Sequence, residues 1–206
     1  MSSGVGDTRA RLISAAQAEL ILGGGHAEMQ AVAKRAQVSV GLAYHHFGSK
    51  AGLIAAVVEA FYDQLDTAAF DGFGTPAVSW AERERARVEA YIQFHYGHPL
   101  ATIVIGALSR SPEVQDVEAA FTNKQITNGA RMIATAQADG ILPGHFDPYL
   151  TIALMTGGIR QALLGALQRT PRPDALQLTD EIWAFMASAL HLSEAPKQHF
   201  TQSSSQ

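Results

Sequence analysis

The chain contains no cysteine. That excludes disulfides, thiol catalysis and cysteine-based zinc sites, and it suits a cytoplasmic location. There is no run of about eighteen apolar residues of the kind a membrane helix needs. The opening MSSGVGDTRA lacks the basic-then-apolar order of a secretory signal, so a cytoplasmic protein without a membrane partner is expected. Sustained period-two alternation is missing, and nothing requires a sheet. Enzyme signatures are missing too: there is no GxSxG and no HExxH, and Gly23-Gly24-Gly25 is not followed by the Lys-Ser/Thr pair of a phosphate loop. No catalytic residue and no cofactor is assigned. Positive charge is in short supply, with 15 Lys and Arg against 19 Asp and Glu for a net −4, which taken whole argues against nucleic acid. The charge is uneven, however. Residues 1 to 52 carry Arg9, Arg11, Lys34, Arg35 and Lys50 against Asp7, Glu19 and Glu28, while the rest of the chain is acidic. A basic N-terminal module on an acidic body is therefore permitted.

What is present is helical spacing. The 206 residues are 47% hydrophobic, enough to bury a sizeable core in one domain or two small ones. Nearly every segment repeats its apolar residues at three and four, which predicts an all-α fold of about nine helices. The first should start at Asp7 or Thr8 and stop at Gly23-Gly24-Gly25; a second should cover about 28–36 and a third 40–47, with Ser39 as N-cap. A fourth begins near Lys50 and runs through Leu53, Ile54, Val57, Val58, Phe61 and Leu65. Gly72, Gly74 and Pro76 then punctuate the chain where a small module gives way to a larger body. Ser79 and Glu82 have capping-box spacing for the fifth helix. His98-Pro99 opens a sixth ending near Ser109, and Ser111-Pro112-Glu113 starts a long seventh ending at Asp139-Gly140. Asp147-Pro148 starts an eighth that runs to about Gln168, and Thr179 caps a ninth that runs to about Leu192. The polar stretch 194–206 is expected to be a disordered tail.

Helices two and three, joined by so short a turn, must cross steeply, which is helix-turn-helix geometry. Val32-Ala33, Ala36, Val38-Ser39, Gly41, Tyr44, His46-Phe47, Ser49-Lys50 and Leu53 together resemble the signature of the TetR/AcrR family of transcriptional regulators. The resemblance spans roughly Asp7 to Phe61. It implies a DNA-binding domain over 1–52, a linking helix over about 50–70, and a ligand-binding and dimerisation domain over 53–193. It makes Val40 to Phe47 the recognition helix, with Val40, Gly41, Leu42, Tyr44 and His45 exposed to DNA. Tyr44 and Lys50 are then phosphate contacts, and Ser39 a cap or a phosphate contact. Three departures from the family pattern stand out. Gln37 occupies a turn position where relatives have glycine, so it must take a positive φ or reshape the turn. Val40 and Leu42 can meet a thymine methyl but cannot hydrogen-bond a base edge. Ala27 and Glu28 replace the usual cap of helix two, leaving Gln30 as a substitute contact.

In the body, the resemblance implies a cavity for an apolar or amphipathic small molecule, with Tyr91, Phe94, His95, Arg110, Phe121, Asn128, Arg131 and Arg160 as candidates. Arg160 lies in the apolar run ALMTGGIRQALLGAL and needs an anionic partner or an exit to solvent. Ala153, Gly157, Gly158, Ala162 and Gly165 form a smooth strip near a spacing of four. With Ile182, Phe185, Met186 and Ala189 of the last helix it would make a homodimer interface. His95 and His98 stand three apart, but Gly97 and Pro99 end the helix there and no carboxylates surround them, so no metal is assigned. The implied function is repression at a palindromic double-stranded DNA operator, relieved by the effector. A regulator of the same fold without a small ligand and, more remotely, a small all-α enzyme or carrier remain open.

Overall fold

A computed structural model describes residues 3–70, 78–109 and 111–192. Among these the chain is all-helical: α1 (Ser3–Leu22), α2 (Met29–Arg35), α3 (Val40–Phe47), α4 (Lys50–Ala69), α5 (Trp80–Gly97), a π-helical segment (Ile103–Leu108), α6 (Gln115–Ala138), α7 (Pro148–Leu167) and α8 (Ala175–Ala189). The expected breaks at Gly72, Gly74 and Pro76, the candidate Arg110 and the tail 194–206 lie outside the described residues.

Local chemistry sets most of the boundaries. Ser39, Ser49, Ser79, Asp147 and Asp174 each accept a hydrogen bond from a first-turn amide of α3, α4, α5, α7 and α8 respectively. Ser79 and Glu82 complete a capping box. Three starts differ from the sequence reading. α1 begins before Asp7 and Thr8, because both side chains turn to Arg11 inside the helix instead of capping it. The long helix α6 begins after Val114, since Ser111 to Val114 close a turn in which the Val114 amide donates to the Ser111 carbonyl. α8 begins one turn before Thr179, because Asp174 takes the Leu176 and Gln177 amides; the buried Thr179 hydroxyl bonds back to the Ala175 carbonyl at 2.8 Å. The sixth segment widens to π-helical pairing over IVIGAL, a β-branched run that packs poorly into α-helical turns.

Two larger cores and a small third one around Trp80, Ile133 and Leu190 are formed among the described residues. The first joins α1 to α4 with Leu100, Ala101, Val104, Leu108 and Val114, so the segment after α5 is packed into the N-terminal module. The second lies between α5, α7 and α8, around Ile92, Leu163 and Leu178. At Gly129 α6 and α7 come so close that a Cβ would stand 2.3 Å from Ile152 Cγ1.

His95 joins the two regions. It is 1% exposed, and its ring meets Phe61, Tyr91 and Phe94. Its Nδ1 must donate to the Tyr91 carbonyl at 2.8 Å, which leaves Nε2 as an unprotonated acceptor with no partner. Burial holds the imidazole down at about 4, so it is neutral in the fold. The unfolded chain binds this proton near the ordinary value, about 6.5, so stability is present above that pH and is lost as pH falls toward 4. His95→Leu is expected to remove roughly 2 kcal/mol of the stability difference between pH 7 and pH 5, as read by urea unfolding at the two pH values. An unchanged pH slope would show that His95 does not titrate on unfolding.

Candidate nucleic-acid interface and ligand cavity

The candidate interface is built on the turn between α2 and α3. The Gln37 amide donates to the Lys34 carbonyl and the Val38 amide to the Ala33 carbonyl, the hydrogen-bond pair of a helix terminus whose next residue is left-handed. Gln37 takes that conformation at φ 56°, a strain of about 1 kcal/mol for a residue other than glycine. α3 therefore leaves the turn at a fixed angle, with the buried Ala43 against the module.

Its outer face carries Gly41, Leu42, Tyr44 and His45, all exposed, with Val40 and His46 half-buried. Ser39 Oγ is spent on the Leu42 amide at 3.1 Å, which makes it the cap of α3. Gln30 is exposed on α2. Arg9 lays its guanidinium over the Phe47 ring, 5.5 Å from its centre. Lys50 Nζ donates to Glu28 Oε1 at 2.7 Å. Glu28 sits at the N-cap of α2 without capping it, so the acid standing where a hydroxyl would serve the helix engages the lysine instead.

A cavity of about 430 Å³ opens among α4, α5, α6, α7 and α8. Val88, Met132, Ile152, Met155, Ile159 and Met186 supply much of its apolar wall; Asp66, Glu84, Arg87, Lys124, Gln125 and Asn128 supply its polar edge. Of the sequence candidates, Tyr91 and Asn128 line it. Burial pushes the Tyr91 hydroxyl up to about 12 despite the positive charge of Arg160, so it stays a neutral donor. Burial likewise raises the Glu84 carboxyl, against the pull of Arg87 and Arg83.

Phe94, His95, Phe121, Arg131 and Arg160 are not on this wall. Phe94 and His95 pack on Phe61. Phe121 stacks on Tyr62, with ring centres 4.2 Å apart. Arg131 is exposed and donates to Asn128 at 3.3 Å. Arg160 finds its anionic partner in Glu118, which also accepts from Tyr62 Oη at 3.2 Å. This network ties α4, α6 and α7 together, and burial followed by the Glu118 charge raises the Tyr62 hydroxyl far above its ordinary value. Sequence reasoning missed Asp66, Glu84, Arg87, Lys124 and Gln125. Each looks like an ordinary charged or amide position on a helical surface, and only the convergence of α4, α5 and α6 brings them together.

A second, mostly apolar groove of about 620 Å³ runs between α7 and α8. Gly158, Ala162, Phe185 and Ala189 line it, as do Ile182 and Met186, although both of these are buried in the protomer's own core. Ala153, Gly157 and Gly165 lie elsewhere on α7, Gly157 exposed and the other two half-buried. Phe185 is 75% exposed and Leu154 77%. α7 is also long and apolar enough to cross a membrane by length and composition, yet it carries the Arg160–Glu118 pair. Among the described residues no group of three or more His, Asp or Glu could hold a metal ion. His98 Nδ1 accepts from the Leu100 amide at 3.2 Å, so the His95–His98 spacing serves packing and hydrogen bonding.

Residues 12–57 match the family model of bacterial regulatory proteins of the tetR family. No curated protein matches the chain. Among solved structures, a putative TetR-family transcriptional regulator from Rhodococcus sp. is similar at 22% identity and TM-score 0.70, over 90% of this chain and 99% of that one. SmeT, the repressor of the Stenotrophomonas maltophilia multidrug efflux pump SmeDEF, is similar at 20% identity and TM-score 0.72, over 89% and 91%. NalD, the secondary repressor of the MexAB-OprM multidrug efflux pump in Pseudomonas aeruginosa, is similar at 18% identity and TM-score 0.70, over 90% and 96%. The N-terminal helix-turn-helix module thus matches the tetR-family model, and it sits on a fold that these structures share over most of the chain.

Proposed function

We propose that the protein is a homodimeric, cytoplasmic transcriptional repressor released from a palindromic operator by an amphipathic small molecule. The observation that carries this reading is the course of α4. It begins at Lys50, beside the recognition helix, and its other end brings Asp66, with Phe70 just beyond, into the cavity wall. One rigid element thus touches both sites, and a ligand that prefers one placement of α4 shifts the population that fits DNA. Two recognition helices must stand about 34 to 36 Å apart to enter successive major grooves. The cavity favours this reading over a regulator without a small ligand. Selection of bound sequences from a random duplex pool is expected to return an inverted repeat. A pool without enrichment would overturn the assignment.

Within the module, Tyr44 and Lys50 act as phosphate contacts, while Leu42, His45 and Val40 face bases. Gln30 and the Ser39 end of α3 border the same surface. Tyr44→Phe is expected to weaken all duplexes alike by roughly threefold to tenfold, whereas Leu42→Ala changes the preferred sequence. Fluorescence anisotropy on operator and scrambled duplexes separates the two outcomes.

Glu28 competes with DNA for Lys50. An exposed pair of this kind contributes about 0–1 kcal/mol, so phosphate can replace it. Glu28→Ser frees the lysine and supplies the missing cap of α2. Duplex affinity should rise about threefold to tenfold, with a steeper fall in salt. An unchanged salt slope would mean that Lys50 does not reach the backbone.

The α7–α8 groove is the proposed dimer face, with Leu154 and Phe185 as its apolar anchors against the same face of a second copy. Phe185→Glu is expected to shift the protein from dimer to monomer in light scattering and to lower inverted-repeat affinity more than tenfold, with helical content unchanged because the side chain is exposed. A dimer that survives both Phe185→Glu and Leu154→Glu would move the interface elsewhere.

A further inference from the structure

Among the cavity's charged groups, Asp66 differs in origin, because it comes from α4. Its Oδ1 accepts from Gln125 Nε2 at 2.6 Å and its Oδ2 pairs with Lys124 Nζ, so a carboxylate on the linking helix occupies two donors of α6. Locally the position is unfavourable. Asp66 lies in the last turn of α4, where the helix dipole disfavours negative charge and no basic residue of that turn offsets it. The α6 donors provide the compensation across the cavity edge.

Building on the ligand-responsive reading above, we propose that the cavity takes an amphipathic carboxylate whose head group replaces Asp66 on Lys124 and Gln125, freeing the end of α4 from α6. The remaining wall chemistry selects this sign. Glu84, the other carboxylate, is engaged by Arg87 and lies 3.5 Å from Arg83 Nε, so it sits in a locally positive field. A cationic head would meet Lys124 and Arg87 and find both acids engaged. A carboxylate competes with Asp66 alone and gains the Asn128 amide at the same edge. The displaced Asp66 side chain is already 16% exposed and can turn to water. The apolar body rests on Phe70, Val88, Met132 and Met155, where the unbranched methionines adapt to its shape. The cavity's 430 Å³ suits one such molecule.

Calorimetric titration of the full-length protein with decanoate, decanol and decylamine tests this. Decanoate is expected to bind about tenfold more tightly than either analogue. Lys124→Met should lower decanoate affinity about tenfold and narrow its preference over decanol, while Asp66→Asn should raise decanoate affinity severalfold by removing the competing charge. Three outcomes would overturn the proposal: tighter binding of decylamine, no binding of decanoate up to its solubility limit, or Asp66→Asn leaving decanoate affinity unchanged or weaker. Decanoate binding with the expected preference, while the selected operator duplex stays bound, would support the head-group assignment and overturn the ligand-release reading alone.

Discussion

The packing of α4 along its whole length is the constraint on which the other elements depend. Leu53, Ile54, Val57, Val58, Phe61 and Leu65 form one buried stripe, and the fully buried Phe61 meets Phe94, His95 and His98 from the segment that follows the N-terminal module. Burying a large aromatic side chain contributes about 1.5–3 kcal/mol, and ring pairs add to it. α4 therefore cannot shift without disturbing either the helix-turn-helix core at one end or the aromatic cluster at its centre. A close-packed interior has few intermediate placements, so a displacement of α4 is carried as a whole.

Polar contacts then differ in depth along α4. Near its start, Lys50 holds Glu28 in an exposed pair that solvent and salt weaken. Near its middle, Tyr62 joins the Glu118–Arg160 pair in a site of low dielectric, where an unpaired charge would be costly. Near its end, Asp66 meets Lys124 and Gln125 on the cavity wall. The middle contact is the most enclosed of the three, and each outer pair has one partner well exposed to solvent.

Much of the fold was legible because helix signals are local. The helix 40–47, its Ser39 cap, the capping box at Ser79 and the start at Asp147 follow from neighbours within four residues, and the structure has them there. Errors arose where two local signals competed. Thr179 is a good cap in isolation, but Asp174 takes the amides first; Asp7 and Thr8 could cap α1, but Arg11 takes their oxygens. The demand of Arg160 for an anion was readable from an apolar run, whereas the identity of Glu118 required two helices to meet.

An all-helical chain and a helix-turn-helix resembling that of the TetR family were readable from the residues alone, because period, caps and turn residues act over a few positions. Which charged side chains share the cavity, that Lys50 is held by Glu28, and which apolar residues of α7 and α8 are left uncovered became visible with the folded chain. Each of those depends on groups from helices far apart in the chain arriving within a few ångströms of one another. No local pattern encodes that distance, since it is set by how whole helices pack.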